Sequence, residues 1–168
     1  MSTSKQHPLQ NIGPLLVILL AFFVQMRYLA ELRTIFPDGF NQPFCGIDAV
    51  AHVNRAESLL DGTILAGGPN SHFYFIPLYP FYLAALKALW GDTILLPIFL
   101  QALLQLLGIA AVYGIGRLVF SRSTGLLAAL GMATYSYYIY SLPCFDQSLL
   151  TVPLFTLSIF LILKYRKE

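Results

Sequence analysis

The sequence predicts an all-α fold: a polytopic membrane helical bundle of four transmembrane helices, with a long external loop bearing juxtamembrane amphipathic helices. Two observations lead there. Of the 168 residues, 57% are hydrophobic and 11% charged, whereas a soluble domain devotes about a quarter of its residues to charge. The apolar residues also gather into stretches close to the ~20 residues that cross ~30 Å of hydrocarbon, which one large soluble core would not require. The formal charge of +2 is small and dispersed, with no Lys/Arg run, so nucleic acid is set aside as a partner.

The first span is predicted over residues 13–30. Glu31, Leu32, Arg33 and Thr34 follow it, with no small-x-small cleavage site, so it reads as a retained anchor and not a secretory signal. Three further spans are predicted over 94–120, 125–141 and 149–163 from apolar length and flanking breakers. Residues 73–90 are apolar enough for a fifth, yet they hold Pro77, Pro80 and Lys87 and are rich in aromatics, a composition common at the membrane interface. Charge decides between four and five. With four spans and the N-terminus inside, Lys5, Arg117, Arg122, Lys164, Arg166 and Lys167 all lie on the cytoplasmic side, as the positive-inside bias requires. A fifth span would export the SRS turn and the KYRKE tail. Pro77 to Trp90 is therefore read as a juxtamembrane helix in the outer leaflet. The chain is then one membrane module, 1–168, with an external loop at 31–93 that is far longer than a helical hairpin needs. Small residues, namely Gly108, Ala110, Ala111 and Gly114, then Ala128, Ala129, Gly131 and Ala133, are expected at helix contacts.

Within the long loop, CGIDAVAHVNRAESLLDG reads as an amphipathic helix that starts near Asp48 and stops at the Asp61-Gly62 turn. At ~100° per residue, Ala49, Val53, Ala56 and Leu60 form an apolar stripe, while Asp48, His52 and Arg55 share another face. That face presents an acid, an imidazole and a guanidinium together. The plainer reading makes Asp48 a helix cap and leaves the other two solvated. Asp146 stands between the third and fourth spans, on the same predicted side as Asp48. Converging carboxylates suit a divalent metal or proton abstraction from a hydroxyl, although an acid at a span boundary also reaches water at little cost. Cys45 lies three residues before Asp48 and Cys144 two before Asp146. Both fall on the external side, where disulfides persist; bonded, they would tie the two loops together, and the alternative is two free thiols. HFYFIPLYPFY, which holds His72 and Tyr79, and TYSYYIYSLP read as an interfacial aromatic belt, or else as a platform for a sugar or isoprenoid. The three histidines, His7, His52 and His72, are too scattered for a zinc motif.

The order of these pieces, GID with its helix and glycine turn, then FYFIPLYPFYLAALKALWG, then QALLQLLGIAAVYGIGRLVFSRSTGLLAA, then YSLPCFDQSLL, resembles the N-terminal part of the C-type glycosyltransferases. The likeness is to the protein O-mannosyltransferase and aminoarabinose-transferase-like group, whose donors are polyprenyl-phosphate sugars, and it covers essentially the whole chain. It implies a GT-C fold in a lipid membrane and an essential acid in the first external loop, where Asp48 stands. Asp146 matches an acid of the second external loop. The implied substrate-binding set is His52, Arg55, His72, Tyr79 and Lys87. Phe75 and Ile76 occupy positions where the family commonly has a basic residue, so contact with the lipid phosphate falls to Arg55, His72 or Lys87. Ala49 replaces a frequent second acid, and His52 a frequent tyrosine. A divalent metal, if used, would fall to Asp48 and Asp146.

Family enzymes have many more spans, so the leading expectation is an incomplete or split glycosyltransferase module. It would be completed by a complementary membrane chain and would transfer a sugar to an acceptor hydroxyl on the external face. The competing expectation is a non-enzymatic four-span subunit, or a truncated remnant, that binds lipid or a partner protein. The expected location is a bacterial inner membrane with both termini cytoplasmic, since the sequence carries no endoplasmic-reticulum signal and no N-glycosylation sequon.

Overall fold

The computed structural model describes residues 12–35, 46–63, 77–91 and 94–166. Among these, α1 (Ile12–Ile35), α2 (Gly46–Leu60), α3 (Leu78–Trp90), α4 (Leu95–Val119), α5 (Arg122–Ala133) and α6 (Ser136–Tyr140) follow in order. A 3-10 turn, Leu142–Cys144, then leads into α7 (Ser148–Tyr165). The fold is all-α, as the apolar pattern requires. Both loop helices end where a glycine takes a positive φ, Gly62 at 71° and Gly91 at 79°, the left-handed stop that residues with a Cβ disfavour.

Three helices, α1, α4 and α7, are long and apolar enough to cross a bilayer among the described residues. They coincide with the first, second and fourth expected spans. The third, expected as one helix over 125–141, is instead broken into α5 and α6. The 12 residues of α5 rise only about 18 Å. At the break, the Thr134 hydroxyl donates back to the Leu130 carbonyl at 2.9 Å and Tyr135 turns to a ψ of 111°, which ends the ladder; such back-bonding commonly bends helices. A break surrounded by apolar material leaves carbonyls that the protein itself must satisfy. Beyond it, near the end of α6, Gln105 donates from Nε2 to the Tyr138 carbonyl at 2.8 Å.

The central helix is α4, which packs against α1, α5 and α7. Close approach depends on small residues. A Cβ on Gly116 would fall 2.6 Å from the Gly125 Cα, and one on Gly125 would fall 2.6 Å from the Tyr113 carbonyl oxygen. Against α7, Gly108 meets the Pro153 backbone and Gly114 lies under the Phe160 ring. The expected small-residue contacts therefore form at Gly108, Ala111, Gly114, Ala129 and Ala133. Ala128 and Gly131 are exposed instead, because they lie on the face of α5 turned away from α4.

A buried cluster fills the end of the bundle where α1 finishes and α4 and α7 begin. It joins Ala49 and Ala56 of α2, Tyr79, Leu83 and Ala84 of α3, Ile98 and Ala102 of α4, and Leu142, Phe145 and Leu150 near α7. The 13 residues of α3 rise about 20 Å, short of a crossing. Its outer face leaves Leu78, Phe81, Leu89 and Trp90 exposed.

Candidate active site

The site is built first on α2. Asp48 sits exposed in its first turn. The packed stripe of this helix is Ala49, His52 and Ala56, with Val53 partly buried beside it. This corrects the expected pattern: His52 belongs to the buried face, and Leu60 is exposed. On the helical wheel His52 borders Ala49 on the side opposite Val53, and α3 covers that side. The imidazole, 2% exposed, meets the Tyr79 ring edge to face, with centroids 5.0 Å apart and planes at 66°. Tyr79 in turn accepts a hydrogen bond from Gln101 Nε2 of α4. The Tyr82 hydroxyl donates to the Pro97 carbonyl at 3.1 Å, a second tie between α3 and α4.

The other part of the site follows the 3-10 turn. Phe145 adopts the left-handed conformation, φ 50° and ψ 46°, which costs a residue with a side chain about 1–2 kcal/mol. Its ring is buried, and that packing holds the turn. Next comes Asp146, whose Oδ1 accepts from the Ser148 backbone N–H at 2.8 Å, capping the start of α7. Oδ2 accepts from the Tyr137 hydroxyl at 3.2 Å. The carboxylate is thus held from both sides.

Electrostatics show which groups converge. Burial pushes the His52 imidazole below its usual 6.5, and the Arg55 guanidinium pushes the same way, while Asp146 and Asp48 pull it back up. One buried ring therefore feels Asp48 and Arg55 from its own helix and Asp146 from the turn before α7, and it is neutral at pH 7. Burial likewise drives the Tyr79 phenol well above its usual range, helped by Tyr82 and Asp146 and opposed by the bond from Gln101.

Of the expected set, Asp48, His52 and Arg55 share α2, His52 meets Tyr79, and α2 packs in one cluster with the turn that leads to Asp146. Lys87 does not join the acids: it pairs with Glu57 at 2.9 Å, nine residues beyond Asp48 along α2, roughly 13 Å of rise. His72 and Cys45 lie outside the described residues. Cys144 is disulfide-bonded. Among the described residues no group of three or more His, Cys, Asp or Glu side chains could hold a metal ion.

Sequence reasoning missed the polar core behind the site. Gln25 of α1 donates from Nε2 to Gln105 Oε1 at 2.8 Å, and Gln101 and Gln105, both fully buried, stack one turn apart on α4. The available signal was two glutamines at i, i+4 inside an apolar span, since polar side chains are costly there and are kept facing the interior. Tyr137 was counted only as part of the aromatic belt.

Comparison with family models matches residues 72–168 to the dolichyl-phosphate-mannose-protein mannosyltransferase family, more than half of the 168 residues. No curated protein and no solved structure matches the chain. The matched segment takes in Tyr79, Gln101 and Asp146 and begins after α2. With its all-helical build and three apolar membrane-length helices, the chain belongs to the dolichyl-phosphate-mannose-protein mannosyltransferase family, glycosyltransferases of the GT-C type.

Proposed function

We propose that the chain transfers a sugar from a polyprenyl-phosphate donor to an acceptor hydroxyl on the external face of the membrane, with Asp48 as the base. The observation that carries this is the buried cluster in which Ala49 and Ala56 of α2 pack with Tyr79, Leu142 and Phe145, which sets the helix of Asp48 and Arg55 against the turn that leads to Asp146, inside the family-matched segment. In the proposed step the acceptor hydroxyl gives its proton to the Asp48 carboxylate as its oxygen bonds to the anomeric carbon. The bond from that carbon to the phosphate oxygen breaks, and its electron pair leaves with the phosphate, whose added charge Arg55 meets. Asp146, fixed by Ser148 and Tyr137, orients the acceptor.

The membrane arrangement belongs to the same reading. The stretch 122–140 acts as one broken span, which would rise roughly 28 Å if continued as helix, and makes the fourth crossing. Lying in the outer leaflet explains the exposed apolar face of α3. The bonded state of Cys144 supports an oxidising, external side for the turn before α7. Cys45, the other cysteine of the sequence, is its proposed partner, and a bacterial inner membrane with both termini cytoplasmic is the proposed setting.

The test is transfer of labelled sugar from a polyprenyl-phosphate donor in membranes carrying the full chain. Asp48→Asn is expected to lower the rate about 10²- to 10⁴-fold, the range general base catalysis supplies. Full activity in that variant would remove Asp48 from the role.

A further inference from the structure

Between the C-terminal third of α1 and the first turns of α4 lies a groove of about 520 Å³ whose lining includes Met26, Leu29, Leu95, Ile98 and Phe99, with Arg33 as its one charged residue among the described residues. Leu95 and Phe99 are exposed and form its open rim, while Ile98 is buried. Ile98 belongs to the cluster that holds Tyr79, Leu142 and Phe145, and Met26 and Leu29 pack on that cluster. The groove therefore backs onto the wall of the candidate active site. Arg33 lies in the last turn of α1, exposed and outside any ion pair among the described residues, whereas Arg27 is held by Glu31 at 2.8 Å.

An apolar trough with a single cation at one end selects an amphiphile. A soluble anion gains little from the apolar walls, and a neutral hydrocarbon gains nothing from the guanidinium. The guanidinium fork matches a phosphate, and a stem lying along apolar surface with its head in water is how arginine sits at a bilayer interface. Complementing the helix dipole accounts for a cation in the last turn, though not for the groove beside it.

We propose that this groove is a docking site for the lipid carrier, taking its hydrocarbon chain between α1 and α4 and its phosphate on Arg33, apart from the reacting position near Arg55. The proposal rests on the reading that the donor is a polyprenyl-phosphate sugar.

The experiment uses the full chain in phosphatidylcholine vesicles with a polyprenyl monophosphate that carries a diazirine in the isoprene next to the phosphate. Photolabelling is expected on residues 26–33 or 95–99, to fall about tenfold in Arg33→Gln, the loss of one charge-assisted phosphate contact, and to recover in part in Arg33→Lys. The matching polyprenol, lacking phosphate, should label these residues no better than the Arg33→Gln protein labels with the phosphate probe. Labelling unchanged by Arg33→Gln, or equal labelling of the exposed Leu15, Leu16 and Leu19, would overturn the site. So would phosphatidylglycerol competing as well as unlabelled polyprenyl monophosphate, which would assign the groove to acidic lipid in general. Sugar transfer in the same vesicles separates the two ideas: groove labelling without transfer supports the groove and counts against the donor reading, and transfer without groove labelling does the reverse.

Discussion

His52 keeps a lowered pKa because burial strips away the water that would solvate an imidazolium and Arg55 repels it, together outweighing the pull of Asp146 and Asp48. The unfolded chain then binds a proton near 6.5 that the folded chain refuses, so stability is complete above that pH and is lost as pH falls from 6.5 toward the folded value. The thermal midpoint of the detergent-solubilised protein is therefore expected to drop between about pH 7 and pH 5, and His52→Gln to flatten that drop. An unchanged slope in the variant would place the proton elsewhere. Asp146→Asn removes a charge that raises the pKa, so it should lower the imidazole pKa further, which the ring resonances of His52 would report. At this scale the sequence showed that Asp48, His52 and Arg55 share one helix, because an acid-imidazole-guanidinium set at helical intervals is a local pattern. That His52 lies on the packed face was not legible, since Tyr79 of α3, 27 residues on, covers it.

The elements pack through two kinds of contact, each with its own test. Gly116→Ala puts a methyl 2.6 Å from the Gly125 Cα, a backbone contact that cannot yield without parting α4 from α5. It is expected to destabilise the protein by about 1–3 kcal/mol, the usual range for overpacking. Gly131→Ala, with nothing within 4 Å of the new Cβ, should not lower stability. Denaturant titrations of the two variants side by side check the contrast, and equal effects would contradict the packing. The Gln25–Gln105 hydrogen bond should show in a double-mutant cycle to leucine as a coupling of about 0.6–1.7 kcal/mol, as buried polar pairs in membranes do. A coupling near zero would mean that the two glutamines do not meet. Three of the expected spans were readable from apolar length, but the break within 125–141 was not: no proline or charge marks it, and the bend rests on Thr134 back-bonding to Leu130.

For the whole molecule, the bonded state of Cys144 and the charge pattern point to the same orientation. In intact cells an impermeant thiol reagent is expected to label Cys144 after mild reduction and not before. Labelling without reduction would overturn the bond, and labelling only after the cells are permeabilised would reverse the proposed topology. Reduction should also depress sugar transfer, because it frees the turn that carries Asp146 from whatever the disulfide anchors.

The sequence by itself determined the membrane class, the start of α1, the ends of α4 and α7, the glycine stops of α2 and α3, and the family likeness. Each rests on composition, period or short motifs, which are local properties of the chain. The tertiary structure decided which distant residues meet. It brought α2 and the turn before α7 around His52, drew Lys87 away to Glu57, threaded glutamines through the core, and opened the Arg33 groove between α1 and α4. Those outcomes depend on how helices far apart in sequence are laid against one another, and so on steric fit and buried hydrogen bonding that no local pattern encodes.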